Sequence, residues 1–153
     1  MYLTYEELLV EADELGIMVN EINLKTRKGH CYGKRIAIHK NLSNYEKVCV
    51  LAEELGHYHL TVGDITNQEN INNRKQELLA RRWGYDKNIG LLGLIHAFEH
   101  GCSNRYEIAE YLNITVEYLN EALEYYTSKY GLMHSIDNYI IYFSPTLYIG
   151  KFF

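Results

Sequence analysis

Glu53, Glu54 and His57 are the residues of this chain whose types and spacing could do chemistry. They stand in the run Val48-Cys49-Val50-Leu51-Ala52-Glu53-Glu54-Leu55-Gly56-His57, which reads as a helix apolar nearly all the way round. Glu53 and His57, four residues apart, share one helix face about 40° apart around the axis, and Glu54 sits about 100° to the side of Glu53. Ionised carboxylates are seldom buried without a partner, because desolvating them costs several kcal/mol or more. Something positive should therefore face this helix, and a divalent metal also explains the spacing. Zinc proteases place two ligands at i and i+4 of one helix, beside a carboxylate that takes a proton from water. The usual string is His-Glu-x-x-His. Here Glu53 fills the first position, which a carboxylate can do because Zn–O and Zn–N distances are similar. Glu77, twenty residues beyond His57 on the next helix, is the candidate third ligand, since a helix–loop–helix return could bring it opposite His57. Two carboxylates and an imidazole would cancel the charge of a divalent cation. That predicts a weaker Lewis acid than a His-His-Glu shell and tolerance of Mn²⁺ besides Zn²⁺. The competing reading pairs Glu53 and Glu54 with Arg81, Arg82 or Lys75 of the next helix and leaves His57 a core histidine.

Helices must position these groups, and the chain marks their ends. Thr4 with Glu7 opens an amphipathic helix running to about Leu15, ended by Gly16. Ile17 to Leu24 and Arg35 to His39 read as two strands that pair in a small antiparallel sheet, with Thr26 to Gly33 as the turn between them. Ser43 and Glu46 form a capping box at the head of the Glu53 helix, which runs to about Tyr58. A polar loop with Gly63, Asp64 and Asn67 leads to a helix over about Asn72 to Ile89. Leu92 to His100 is a further helix closed by Gly101, and Tyr106 to Leu112 and Thr115 to about Tyr130 are two more. Tyr139 to Phe143 is strand-like, with Pro145 at its end.

At 153 residues the chain is most simply one domain. Within 1–153, residues 1–90 carry the site, 91–131 form a helical module and 132–153 a C-terminal strand and tail. No apolar run approaches the roughly 20 residues of a membrane helix. The amino terminus lacks the basic segment and apolar core of a secretory leader. Three widely spaced cysteines, Cys31, Cys49 and Cys102, suit reduced thiols in a cytoplasm. A net charge of −5 argues against nucleic-acid or anionic-membrane binding as the main activity. Fifteen tyrosines against four phenylalanines suggest a partly wet, contact-rich surface, unless tyrosine is simply the habitual aromatic here.

Leu51-Ala52-Glu53-Glu54-Leu55-Gly56-His57-Tyr58, followed by Thr61-Val62-Gly63-Asp64-Ile65, resembles the active-site helix of the ImmA/IrrE metallopeptidase family in its phage and mobile-element branch. Glu77-Leu78-Leu79-Ala80 and then Trp83 resembles that family's second-helix signature, Glu-x-x-Ala followed by an aromatic. The resemblance implies an α+β fold, mostly helical, on a zincin-like metallopeptidase scaffold with a small antiparallel sheet and a helix-turn-helix-like C-terminal module. It makes Glu54 the general base, with His57 and Glu77 as metal ligands. Glu53 stands where most relatives carry His. The implied activity is metal-dependent hydrolysis of a peptide bond, and the implied substrate is a helix-turn-helix repressor of a phage or mobile element in a bacterial cytoplasm. A non-catalytic anti-repressor on the same scaffold is the alternative.

Weaker signals surround this core. Asp64 could accept a bond from the far nitrogen of His57, or simply cap a turn. His59 points away from the Glu53 face, and Cys49, one turn before Glu53, reads as packing. His96 and His100 share a helix face but read as surface residues. Glu107 to Leu119 has a helix-turn-helix cadence, yet Val116 to Tyr126 offers Glu117, Glu121 and Glu124 with Asn120 and no basic residue. Phosphate repulsion would oppose DNA docking, so the module reads as structural or as a docking surface for a protein.

Overall fold

The computed structural model describes residues 2–61 and 70–152. The chain opens with α1 (Tyr5–Glu14), where the Thr4 side chain accepts a hydrogen bond from the Glu7 N–H at 3.2 Å. Tyr5, Leu8 and Ala12 are the buried face of this helix. Gly16, at φ 74°, turns the chain into β1 (Met18–Ile22).

The first sheet corrects the expected pairing. Met18–Ile22 and Arg35–His39 (β3) run parallel, in the register Met18 with Arg35 to Ile22 with His39. The segment read as a turn contains a third strand, β2 (Gly29–Tyr32), which lies antiparallel to β3 and gives the order β1-β3-β2. Parallel neighbours need a crossover rather than a tight turn. Here the excursion through β2 supplies it, and the β2–β3 hairpin turns at Gly33, whose φ is 57°. The strand was hidden because it is short, starts on glycine, and follows Thr26-Arg27-Lys28, residues that read as a turn. Ile36 and Ile38 of β3 are buried and carry the sheet onto the helical layer.

α2 (Asn44–Thr61) begins at the expected capping box. The Glu46 N–H donates to Ser43 Oγ at 3.2 Å, and the Ser43 N–H donates to Glu46 Oε1 at 3.4 Å. Val48, Leu51, Ala52 and Leu55 are buried. α3 (Asn70–Asn88) returns against α2, and these two helices make the most extensive contact among the described elements. Small residues permit their close approach. A Cβ on Gly56 would lie 2.6 Å from the Ala80 carbonyl oxygen, whereas one on Gly84 would clash with the Tyr118 hydroxyl at 2.8 Å and only touch the α2 backbone, at 3.4 Å.

α4 (Gly90–His100) ends at Gly101 with φ 100°, as its sequence indicates. α5 (Arg105–Tyr111) is capped by Asn104, and α6 (Val116–Tyr130) by Thr115, each side chain accepting from a main-chain N–H three residues on. A second sheet closes the chain: β4 (Met133–Ile136), β5 (Tyr139–Tyr142) and β6 (Tyr148–Lys151) form an antiparallel meander. Only β5 is evident from the sequence pattern. Buried residues from Tyr5 to Ile149 form one continuous apolar cluster. No helix among the described residues is long and apolar enough to cross a membrane.

Gly56→Ala tests the α2–α3 approach. Alanine would gain about 1 kcal/mol of helix propensity, but overpacking against a backbone carbonyl costs roughly 1–3 kcal/mol. Urea denaturation is expected to show a lowered midpoint. An unchanged or raised midpoint would mean that the helices can part without penalty.

Candidate functional site

Two helical turns bring the candidate residues together. On α2, Glu53 and His57 point toward α3. From α3, Glu77 reaches His57, with its Oε1 3.3 Å from His57 Nε2, and Arg81 reaches Glu53, with its Nε 3.6 Å from Glu53 Oε1. One ligand-capable atom from each of Glu53, His57 and Glu77 lies within 4.8 Å of the others. The return of α3 opposite His57 is thus the arrangement anticipated for Glu77. The anticipated competitor is present as well, because Arg81 does pair with Glu53.

A cleft of about 820 Å³ opens over these groups, with α2 as its floor, α3 on one side and β2 on the other. Gly29 lets β2 close on α2: a Cβ there would sit 2.5 Å from Val50 Cγ1 and 3.2 Å from Glu54 Oε1. Arg27, Gly29 and Cys31 of the β2 region line the cleft, a wall where the residue types indicate only a turn. In the structure Gly29-His30-Cys31-Tyr32 alternates half-buried and exposed, a pattern that these residue types do not announce.

Glu54 is the most unusual group in the cleft. It is only 6% exposed, and its Oε2 has no hydrogen-bond partner among the described residues. Burial first, then the negative fields of Glu53 and Glu77, push its carboxyl up to about 8, with Arg27 opposing. Burial also raises Glu53, although Arg81 pulls the other way. A buried carboxylate without a donor is costly unless a cation faces it or a proton occupies it.

The donor set can be tested against a metal. Four ligands at 2.0–2.2 Å in a tetrahedron stand roughly 3.3–3.6 Å apart. His57 Nε2 and Glu77 Oε1, at 3.3 Å, meet that spacing, and Glu53 lies within reach of both. One imidazole and two carboxylates are hard-to-borderline donors that suit a divalent first-row ion. The residues present fit such an ion.

Residues 12–124 match the model of Peptidase M78, the IrrE N-terminal-like domain. The chain belongs to this family. The match spans α2 and α3 with every cleft residue named above, and membership indicates a metallopeptidase-like function acting on protein. No curated protein matches the chain.

The other candidates that lie among the described residues fall outside the cluster. Asp64 lies outside the described residues, as do Val62, Gly63 and Ile65 of the same motif. His59 is exposed and stacks on Trp83, with ring centroids 4.8 Å apart. Cys49 is buried, as a packing residue would be. His96 accepts or donates a bond with the Tyr2 hydroxyl at 2.8 Å, and His100 stacks on Tyr111. Both are exposed surface residues. On α6, Glu117, Glu121 and Glu124 are all exposed.

The raised Glu54 carboxyl makes the metal-free protein pH-sensitive. The folded state holds its proton up to about pH 8, whereas the unfolded chain releases it near the ordinary value of 4.5. Between those limits the folded state binds more protons, so stability falls as pH rises. Urea unfolding in chelator is expected to show lower stability at pH 8 than at pH 5. Glu54→Gln should flatten that slope and raise stability at pH 8. A slope unchanged by the substitution would show that Glu54 is not its source.

Proposed function

We propose that this protein is a metal-dependent endopeptidase in which Glu53, His57 and Glu77 hold a divalent ion and Glu54 is the general base. The observation that carries this reading is the three-residue donor set within 4.8 Å, beside a buried carboxylate oxygen that lacks a partner among the described residues. Zn²⁺ is the ion favoured by the coordination number and the imidazole, with Mn²⁺ admitted by the two carboxylates. Such an ion would supply Lewis-acid polarisation of a water and of the scissile carbonyl.

The chain's own residues would do the rest. Glu54 would accept the proton from the attacking water through its unpartnered Oε2 and pass it to the leaving amine. A cation beside it would favour its ionised form, offsetting the burial that otherwise keeps it protonated. β2 is an edge strand of its sheet, so its outer main-chain groups can pair with an extended peptide laid across the cleft. Asp64 is our candidate to accept a bond from the far nitrogen of His57. The substrate we favour is a helix-turn-helix repressor of a phage or mobile element, met in a bacterial cytoplasm. The acidic exposed face of α6 supports α5–α6 as a protein-docking element rather than a DNA reader.

A second reading is favoured by the Glu53–Arg81 ion pair: a non-catalytic anti-repressor that acts by binding alone. One substitution separates the two. Glu54→Gln is expected to abolish cleavage of the repressor encoded nearest the gene, by about a hundredfold or more, while metal content is retained. His57→Ala should lose the metal. Fragments measured by mass spectrometry, with elemental analysis alongside, provide the readout. Repressor inactivation that persists without cleavage in Glu54→Gln would establish the binding-only reading instead.

A further inference from the structure

The facing flanks of α2 and α3 form two rungs. His57 meets Glu77 at 3.3 Å, and one helical turn away Glu53 meets Arg81 at 3.6 Å. Three corners of this square offer ligand atoms. The fourth is a guanidinium, which cannot ligate a cation and keeps its charge at any physiological pH.

Arg81 has further charged neighbours. It feels the negative field of Glu121 on α6, and Glu121 Oε2 accepts a 3.0 Å hydrogen bond from the Tyr85 hydroxyl. Arg81, Glu121 and Glu53 line one hollow next to the main cleft, with Cys49 and Tyr118 at its base. Arg81 thus stands in the negative field of both acids, and its ion pair is with Glu53, a side chain of the donor set.

We propose that Arg81 is a positioning residue of the metal site, engaging one oxygen of Glu53 so that the Glu53–Arg81 pair is the charge equivalent of the neutral histidine usual at that position. This rests on the metal-site reading above. A dication among two imidazoles and one carboxylate keeps a net charge of one. A second carboxylate in place of an imidazole cancels that charge, and the Arg81 guanidinium restores it. The consequence is a site with weaker affinity but stronger polarising power than Glu53, His57 and Glu77 would give alone.

Two effects oppose each other when Arg81 is removed. The lost ion pair is half exposed, with Arg81 at 52%, so the ordering it provides is small. The removed charge stood a few ångströms from a dication, where repulsion is large even at high effective permittivity. The charge effect wins, and loss of Arg81 tightens metal binding.

The test titrates metal-free wild type, Arg81→Gln and Arg81→Lys with Zn²⁺ and separately with Mn²⁺, against a chromophoric chelator. Circular dichroism of each variant reports the fold. Arg81→Gln is expected to bind about tenfold tighter or more, and Arg81→Lys to stay within about threefold of wild type because it keeps the charge. The gap should narrow at high salt, as befits a partly exposed charge. Equal or weaker binding by Arg81→Gln overturns the proposal, as does Arg81→Lys behaving like Arg81→Gln. Failure of both wild type and Arg81→Gln to bind either ion overturns the metal-site reading itself, and this inference with it.

Discussion

The close approach of α2 and α3 governs the rest of the molecule. Gly56 removes the side chain that would hold the two backbones apart, and the buried Ala52, Ala80 and Gly84 keep the seam narrow. At that separation, long side chains on the flank of one helix reach the flank of the other. Glu77 then meets His57, and Arg81 meets Glu53, across the same pair of turns. Small residues at the seam and charged residues at its lip are two sides of one packing solution: the first sets the distance that the second requires.

That solution places carboxylates where folding alone would not. Glu54 sits in an apolar floor under β2, with its acidity suppressed by burial and by its acidic neighbours. An apolar residue there would fold more stably, since desolvating a carboxylate is among the larger single penalties in a small domain. A cost kept at the deepest point of a cleft, beside an imidazole and two more carboxylates, is the pattern of a site shaped by chemistry. The β2 strand reinforces it, for Gly29 lets a main chain lie directly over Glu54.

Much of the helical framework was legible from local signals. Thr4, Ser43, Asn104 and Thr115 each mark a helix start through a side-chain oxygen that satisfies an otherwise unpaired N–H, and Gly101 marks a helix end in left-handed conformation. The sheets were far less legible. β2 is four residues long and hides behind turn-forming chemistry, and without it the parallel pairing of β1 with β3 could not be inferred. β4 and β6 carry exposed residues such as Met133 and Tyr148 that blur the two-residue alternation.

By itself the sequence determined the i, i+4 relation of Glu53 and His57, because helix geometry fixes which side chains share a face. It also offered Glu77 as the residue to return opposite them. It could not decide between a metal ligand set and an ion-pair network, since Arg81 and Glu77 lie one turn apart on the same helix and either can face Glu53 in some register of the two helices. Only the tertiary structure decided that Glu77 faces His57 while Arg81 faces Glu53. The physical reason is the register of the α2–α3 seam, set by where Gly56 allows the backbones to touch, a long-range fit that no local pattern encodes.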